Sequence, residues 1–489
     1  MPNLSKEARV LLLDALSKIP RGFAEHAPPQ MIYPISEHLR ALEAEVVLIV
    51  GDRGAGKTQL KNALDTAEVR DALVRYAPGV KVPPGRVDWV VGWPLGTQGP
   101  DSRGWRDMLG ASSGDQDRSE VWGAYLLRAV RGHLSTAEQE PLRTVLDAPG
   151  ADAKQVLSAM RQAGVQVTTA LDALDERLAR EQRWLFVAYD ELDTLVMEDW
   201  EALGNAIRGL VSHWAVYARR WRRLRPKIFL RSDFYKHHRE IAGADVAKLA
   251  GNRVELHWSD KNLYGALIKH LLNAEALGGA TPLKDYLLRS VQGREDPVLG
   301  FVPELATAAD AKPFVHRLIS EYMGANQGKG RTFAWILDHL RDGNKHALPR
   351  SLIALIADAA DIERDQPRAT GAHLLHHVSV RNALDRVSKE YVGQARTHEL
   401  PWLEGLATRL QRSREVPWTK RELTNLLGAQ YDGLWATHGA RPPGSDKHDL
   451  LESLIELGVV RSRPKDMFDV PDLYLHGLGL RRKGGVAKQ

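Results

Sequence analysis

Eight consecutive residues, Gly51-Asp52-Arg53-Gly54-Ala55-Gly56-Lys57-Thr58, satisfy the pattern G-x-x-x-x-G-K-[ST] in full. These residue types suit a phosphate cradle. Glycines let backbone N–H groups turn inward around anionic oxygens, and the start of a following helix adds positive partial charge. Lys57 has the reach for outer phosphates, and the Thr58 hydroxyl can ligate Mg²⁺. The alternative is a glycine-rich strand-to-helix turn that binds nothing. A second set, Leu185-Phe186-Val187-Ala188-Tyr189-Asp190-Glu191, is an apolar run ending in two carboxylates. At the C-terminal edge of a parallel strand, Asp190 would hold Mg²⁺ through water, and Glu191 would orient or activate an attacking water. Strands often end in acids, so this run is weak alone and gains its meaning beside the first. Asp193 is a competing carboxylate that reads as the cap of the next helix.

The elements that must position these groups can be read from periodicity. Residues 46–50 are an unalternating aliphatic run ending at Gly51, the pattern of a strand buried on both faces. Residues 58–76 are helical by period, 86–91 read as a second strand, and 94–117 as a loop rich in Gly, Ser, Asp and Pro. Several polar helices follow over 120–183. Strands are then expected at 185–189, 228–230 and 253–258, with a long helix over 200–223. Strands alternating with helices predict a three-layer α/β core with a parallel sheet. Beyond Trp258 the strands stop and Ser259 caps a helix; helical patterns run to about 411, broken near 278–279, 293–302 and 328–330. Near the C-terminus, Thr419 and Glu422 have capping-box spacing, Leu450, Leu451, Leu454 and Ile455 share a helical face, and 458–460 and 468–470 suggest a short hairpin. That outline is a winged helix. The tail 481–485 is basic, glycine-rich and reads as mobile. The domains expected are an N-terminal helical lead (1–40), an α/β core (41–259) with a helical insertion at about 94–182, an all-α lid (260–365) and a helical plus winged-helix-like C-terminal part (366–489).

Composition agrees with an ordinary globular chain: 489 residues, 43% hydrophobic and 26% charged, enough for about three domains. The absence of cysteine excludes disulfides, thiol nucleophiles and Cys-ligated metals. Residues 46–50 are the longest purely aliphatic run, too short for a membrane span, and 1–20 is an amphipathic stretch carrying acids rather than a signal peptide; a cytoplasmic protein is expected. Basic residues exceed acidic ones by 67 − 62 = 5, a surplus too mild to argue for a nucleic-acid partner.

The two motifs together resemble the AAA+ and STAND classes of P-loop ATPases. Lys57-Thr58 matches their Walker A position and Asp190-Glu191 their Walker B position. The resemblance implies ATP and Mg²⁺ as cofactors. It also implies that Ile228-Phe229-Leu230-Arg231-Ser232-Asp233 is the fourth strand with its sensor, placing Arg231 near the γ-phosphate. Arg253 falls near the position of a finger that reaches a neighbour's site, and Arg350, in Leu348-Pro349-Arg350, near that of a second sensor in the lid. The alternatives are a charged strand end for Arg231, a surface arginine for Arg253 and a solvated helix start for Arg350. Bacterial P-loop ATPases with an "FLRSD" fourth strand are similar, resembling STAND and KAP-type NTPases associated with mobile elements or phage defence. The likeness spans 45–361. The separation 190 − 57 = 133 is far wider than a minimal AAA+ core, which is why an insertion is inferred.

Other constellations are less specific. Residues 219–227 (RRWRRLRPK) read either as phosphate contacts to nucleic acid or as the charged last turn of a helix. His373, His376 and His377 fall in one helical stretch, where an i, i+4 pair could chelate a metal; adjacent His237 and His238 face apart. The leading expectation is an ATP-hydrolysing switch that assembles with itself or engages an effector protein, with nucleic acid a further partner and no membrane. The second is an ATP-gated DNA-binding regulator or loader using the winged helix. A third, a scaffold that binds ATP without hydrolysing it, is disfavoured by Glu191.

Overall fold

The computed structural model describes residues 3–21, 27–92, 114–150, 152–192, 195, 200–232, 234–235, 249, 251–274, 281–398, 400, 402–428, 442 and 446–483. Most of the loop expected at 94–117, the breaks at 278–279, and Asp193, Asp233, His237 and His238 lie outside these residues. The chain divides into two units, 34–256 and 1–33 with 257–489.

The first unit is built on five parallel strands: β1 (Leu48–Gly51), β2 (Arg86–Val91), β3 (Arg183–Tyr189), β4 (Leu224–Arg231) and β5 (Arg253–Glu255), in the order β2-β3-β4-β1-β5. All of β1 and β4 is buried, as for strands covered on both faces, whereas β2 forms an edge and is partly exposed. The helix expected over 58–76 is two, Lys57–Asp65 and Ala67–Val74, separated by Thr66 in an extended conformation. The inserted segment contributes helices Asp115–Ala129, Ala153–Ala163 and Val165–Arg180, which share one apolar core with the sheet. Trp122 anchors it: its indole donates to the Ala206 carbonyl at 2.8 Å and its ring meets Tyr189 of β3 edge-on at 5.7 Å.

The helix expected over 200–223 stops at Tyr217, and β4 begins at Leu224 rather than 228. The basic run 219–227 is therefore not a helical last turn: Arg219, Arg220 and Arg222 are exposed, while its second half enters β4. The backbone N–H groups of Arg222, Arg223 and Leu224 all donate to the Asp175 carboxylate. Arg220 pairs with Asp172, and Arg223 lies over the Trp184 ring at 4.3 Å. Arg225 and Lys227 are buried inside the sheet. Lys227 donates to the carbonyls of Glu43 and Val46, and Arg225 to that of Ala44, so these cations satisfy the backbone leading into β1. Burial drives the Lys227 ammonium well below its usual pKa.

The second unit is mainly helical. Helix Lys6–Ser17, capped by Ser5, shares a core with Asp260–Leu272, Lys312–Leu318, Thr332–Leu340, Pro349–Asp365 and His377–His398. Ser259 caps the second of these as expected. Strands do not stop at Trp258: β6 (Gly293–Asp296) and β7 (Gly300–Pro303) form an antiparallel hairpin in a stretch read only as a helix break. The C-terminal region is winged-helix-like. Helices Leu403–Leu410, Lys420–Leu427 and Lys447–Glu456 accompany a three-stranded antiparallel sheet. The strands are β9 (Trp418–Thr419), β10 (Arg461–Arg463) and β11 (Met467–Asp469), in the order β10-β11-β9, while β8 (Glu415–Val416) pairs elsewhere. The Thr419–Glu422 capping box is formed. The first hairpin strand begins at Arg461, three residues beyond Gly458. The tail is not loose at 481–483: β12 (Arg481–Arg482) pairs with β8, and only 484–489 lie outside the described residues. His373, His376 and His377 do not share a helix. The helix starts at His377, and His373 Nδ1 meets the His316 carbonyl at 2.7 Å. Among the described residues no cluster of three potential metal ligands includes any of them. Among the described residues no helix is long and apolar enough to cross a membrane.

Candidate phosphate-binding site

The loop between β1 and helix Lys57–Asp65 needs its glycines for distinct reasons. Gly54 and Gly56 have φ of 77° and 93°, the left-handed region that side chains disfavour, and Gly56 is the residue from which the helix starts. Gly51 has no room for a side chain: a Cβ there would lie 3.0 Å from Leu256 Cβ and 3.2 Å from Ala55 Cβ. Asp52, Arg53 and Ala55 fill the turn, closed by the Ala55 N–H donating to the Asp52 carbonyl. Lys57 folds back over it, its Nζ donating to the carbonyls of Gly51 (2.9 Å) and Asp52 (3.1 Å). The ammonium thus sits on the loop it would share with a phosphate.

Parallel register then brings the other groups to the same sheet edge. β4 lies between β1 and β3, with Gly51 opposite Arg231 and Tyr189 opposite Ile228. Arg231, the last residue of β4, flanks the start of the loop. It is buried, its guanidinium 4.9 Å from the Phe234 ring centre. Asp190 follows β3 and is 9% exposed. Burial raises its pKa, against the lowering effect of the nearby Thr58 hydroxyl, the Glu191 backbone N–H and the charges of Lys61 and Lys57. Its Oδ2 is buried with no hydrogen-bond partner among the described residues. Glu191, half-buried, holds φ of 56°. A non-glycine residue there costs on the order of 1–3 kcal/mol, and such strain gathers at functional sites.

Lys61 was not singled out from sequence. It lies one turn beyond Lys57 on the same helix, and that i, i+4 relation was the available signal. Arg253 stands apart from this edge of its own sheet. It opens β5 opposite Leu48, three residues before Gly51, and its Nε donates to Glu255 at 2.8 Å. Arg350 is the second residue of helix Pro349–Asp365, in the other unit.

The arrangement presents backbone N–H groups, a lysine, a hydroxyl–carboxylate pair and a second carboxylate at one edge of a parallel sheet. Its oxygen donors, the Thr58 hydroxyl and Asp190, suit a hard cation such as Mg²⁺.

No protein-family model matches the chain, and no curated protein matches it. Several solved structures are similar. The Aeropyrum pernix ORC2 protein in ADPNP–ADP complexes is 16% identical, with 88% of this chain and 86% of that one covered at a TM-score of 0.37. CDC6P from Pyrobaculum aerophilum is 11% identical over 98% and 97%, at 0.32. The Aeropyrum pernix ORC1 protein in complex with DNA is 14% identical over 98% and 92%, at 0.34. With likenesses this remote, the functional reading rests on the site's own residues.

Proposed function

We propose that the chain binds ATP with Mg²⁺ at residues 51–58, hydrolyses it, and uses the cycle as a switch that assembles with itself or engages a partner. The observation that supports this most is the buried Asp190, whose Oδ2 lacks a hydrogen-bond partner among the described residues and which lies near enough to Thr58 and Lys57 for both to lower its pKa. Such a carboxylate is costly unless a cation completes it.

In this reading the loop N–H groups hold the phosphates, and Lys57 exchanges its two carbonyl partners for phosphate oxygens. Thr58 and Asp190 would hold Mg²⁺, which when bound neutralises phosphate charge. Glu191 accepts the proton of a water that attacks the γ-phosphorus, as the bond to the β-phosphate's bridging oxygen breaks. Arg231 stabilises charge on the γ-phosphoryl group. Arg350 carries the response of the helical unit to the nucleotide, and Arg253 acts on a neighbouring copy's site. The choice of ATP over GTP, and antiphage defence as the setting, follow the sequence resemblance alone.

The test pairs Lys57→Ala with Glu191→Gln. The first is expected to lose ATP affinity, the second to bind ATP without turnover. A Lys57→Ala protein that binds ATP normally would remove the site. Light scattering with and without ATP·Mg²⁺ tests assembly, and a monomer in every state would remove the trans role of Arg253.

A second reading, an ATP-gated DNA regulator, draws on the winged-helix-like region, with helix Lys447–Glu456 followed by the β10–β11 hairpin. It predicts DNA affinity that falls steeply with salt. No binding at low salt would end it.

A further inference from the structure

A cavity of about 380 Å³ opens within the second unit, between the winged-helix hairpin, strand β12 and the end of helix Thr332–Leu340. Its volume lies near the lower end of small-molecule sites, roughly 300–1,000 Å³. Segments next to it are tied together. The Gly343 N–H donates to the Gly458 carbonyl and Asn344 Nδ2 to that of Glu456, each at 2.7 Å.

The charge of this cavity is unusual. Arg461, Arg463 and Arg482 all pair with one carboxylate, Asp469, which is 0% exposed. Arg482 also reaches Asp472 at 2.9 Å, and Lys483 joins the lining. Four cations thus meet two carboxylates, and with Arg341 and its partners Asp260 and Asp338 five cations meet four carboxylates, a net surplus of one positive charge. Arg341, also in the lining, is taken up by Asp260 and Asp338. Burial would raise the Asp469 carboxyl, but hydrogen bonds from Arg461 and Arg482 hold it below its usual value, so it stays charged as the floor of the cluster. The three arginines keep 32–41% of their side-chain surface exposed. Val416, Pro417 and Pro471 supply an apolar wall beside them.

We propose that this pocket binds a small, multiply phosphorylated molecule, its phosphates held by Arg461, Arg463, Arg482 and Lys483. Guanidinium forks match phosphate oxygens in pairs. A nucleic-acid backbone is met by cations spread along a surface. Here they converge on one concavity with an apolar wall, the layout of a small-ligand site.

The test uses the full-length chain carrying Lys57→Ala, which silences the loop at 51–58, with inorganic pyrophosphate as the probe in calorimetry at low salt. One binding event is expected. Arg461→Ala with Arg463→Ala should weaken it on the order of tenfold or more, because two charge-assisted contacts are lost. Arg482 is kept, so Asp469 remains paired. Lys483→Glu should also weaken binding several-fold, and it carries the test if the double variant fails to fold. Absence of pyrophosphate binding, or binding unchanged in Lys483→Glu, overturns the proposal. A short DNA duplex that displaces pyrophosphate, and whose own affinity falls with the same substitutions, overturns it in favour of a nucleic-acid contact.

Discussion

Thr58, in the first turn of the helix after β1, lies near enough to Asp190, the residue after β3, to lower its pKa. The two strands are not neighbours, because β4 runs between them. The approach therefore crosses the width of a strand, at the edge where Arg231 ends β4 level with Gly51. Both halves of the proposed cation site meet at this edge.

Asp190→Asn is expected to keep nucleotide affinity, since loop N–H groups and Lys57 remain, while hydrolysis falls on the order of 10²-fold or more with loss of electrostatic stabilisation. Titration with a fluorescent ATP analogue, beside phosphate release, separates the two. Equal loss of both would show that Asp190 shapes the loop rather than serving the chemistry.

Glu191 should be a site where function and stability conflict. Its φ of 56° suits glycine. Glu191→Gly is expected to raise the melting temperature, by an amount matching about 1 kcal/mol, while abolishing phosphate release. Glu191→Gln, which keeps the side chain's shape, should abolish turnover without the stability gain. A destabilised Glu191→Gly protein would mean that the side chain's own contacts outweigh the backbone strain.

Much of this site was legible in the residues. Gly51, Lys57, Thr58 and Asp190 are the residue types that a phosphate and a hard cation would require, and an aliphatic strand is easily read around them. The first half of β4 was not, since Leu224-Arg225-Pro226-Lys227 carries no apolar run and proline argues against an inner strand. It is a strand because Arg225 and Lys227 bond carbonyls of residues 44, 43 and 46, partners that periodicity does not reveal. The β6–β7 hairpin escaped for a related reason: its residues Gly293-Arg294-Glu295 are exposed and lack alternation. The tail looked loose because its cations were counted without the buried Asp469 that binds Arg482.

Lys227→Met tests the account of the basic run. Two backbone carbonyls would lose their donor in a buried setting, at a cost of about 1–3 kcal/mol. Denaturant melts should show that loss, with nucleic-acid affinity of the folded protein unchanged. A drop in nucleic-acid affinity without a stability change would favour the reading of the run as phosphate contacts to nucleic acid.

Acid should destabilise both units below the ordinary histidine pKa. His213 is buried between Trp214 and Tyr217, with ring centres 5.6 and 4.7 Å away, and burial pushes its pKa down to about 4. His270, on helix Asp260–Leu272 with Nε2 3.3 Å from the Pro20 carbonyl, is likewise pushed down to about 4 by burial. For each, the folded pKa lies below the usual 6.5, so the unfolded chain binds the proton first. Stability then falls as pH drops from 6.5 towards 4, and at pH 5 each group costs about 2 kcal/mol relative to neutral pH. Lys269, lowered to about 7 by burial, gives a slope of the same sign, but only between its usual 10.5 and 7. The acid window therefore belongs to the histidines among these three. His270→Leu is expected to flatten the dependence of melting temperature on pH between 6.5 and 5, whatever it does to stability at pH 7.5. An unchanged slope would assign the acid sensitivity to other groups.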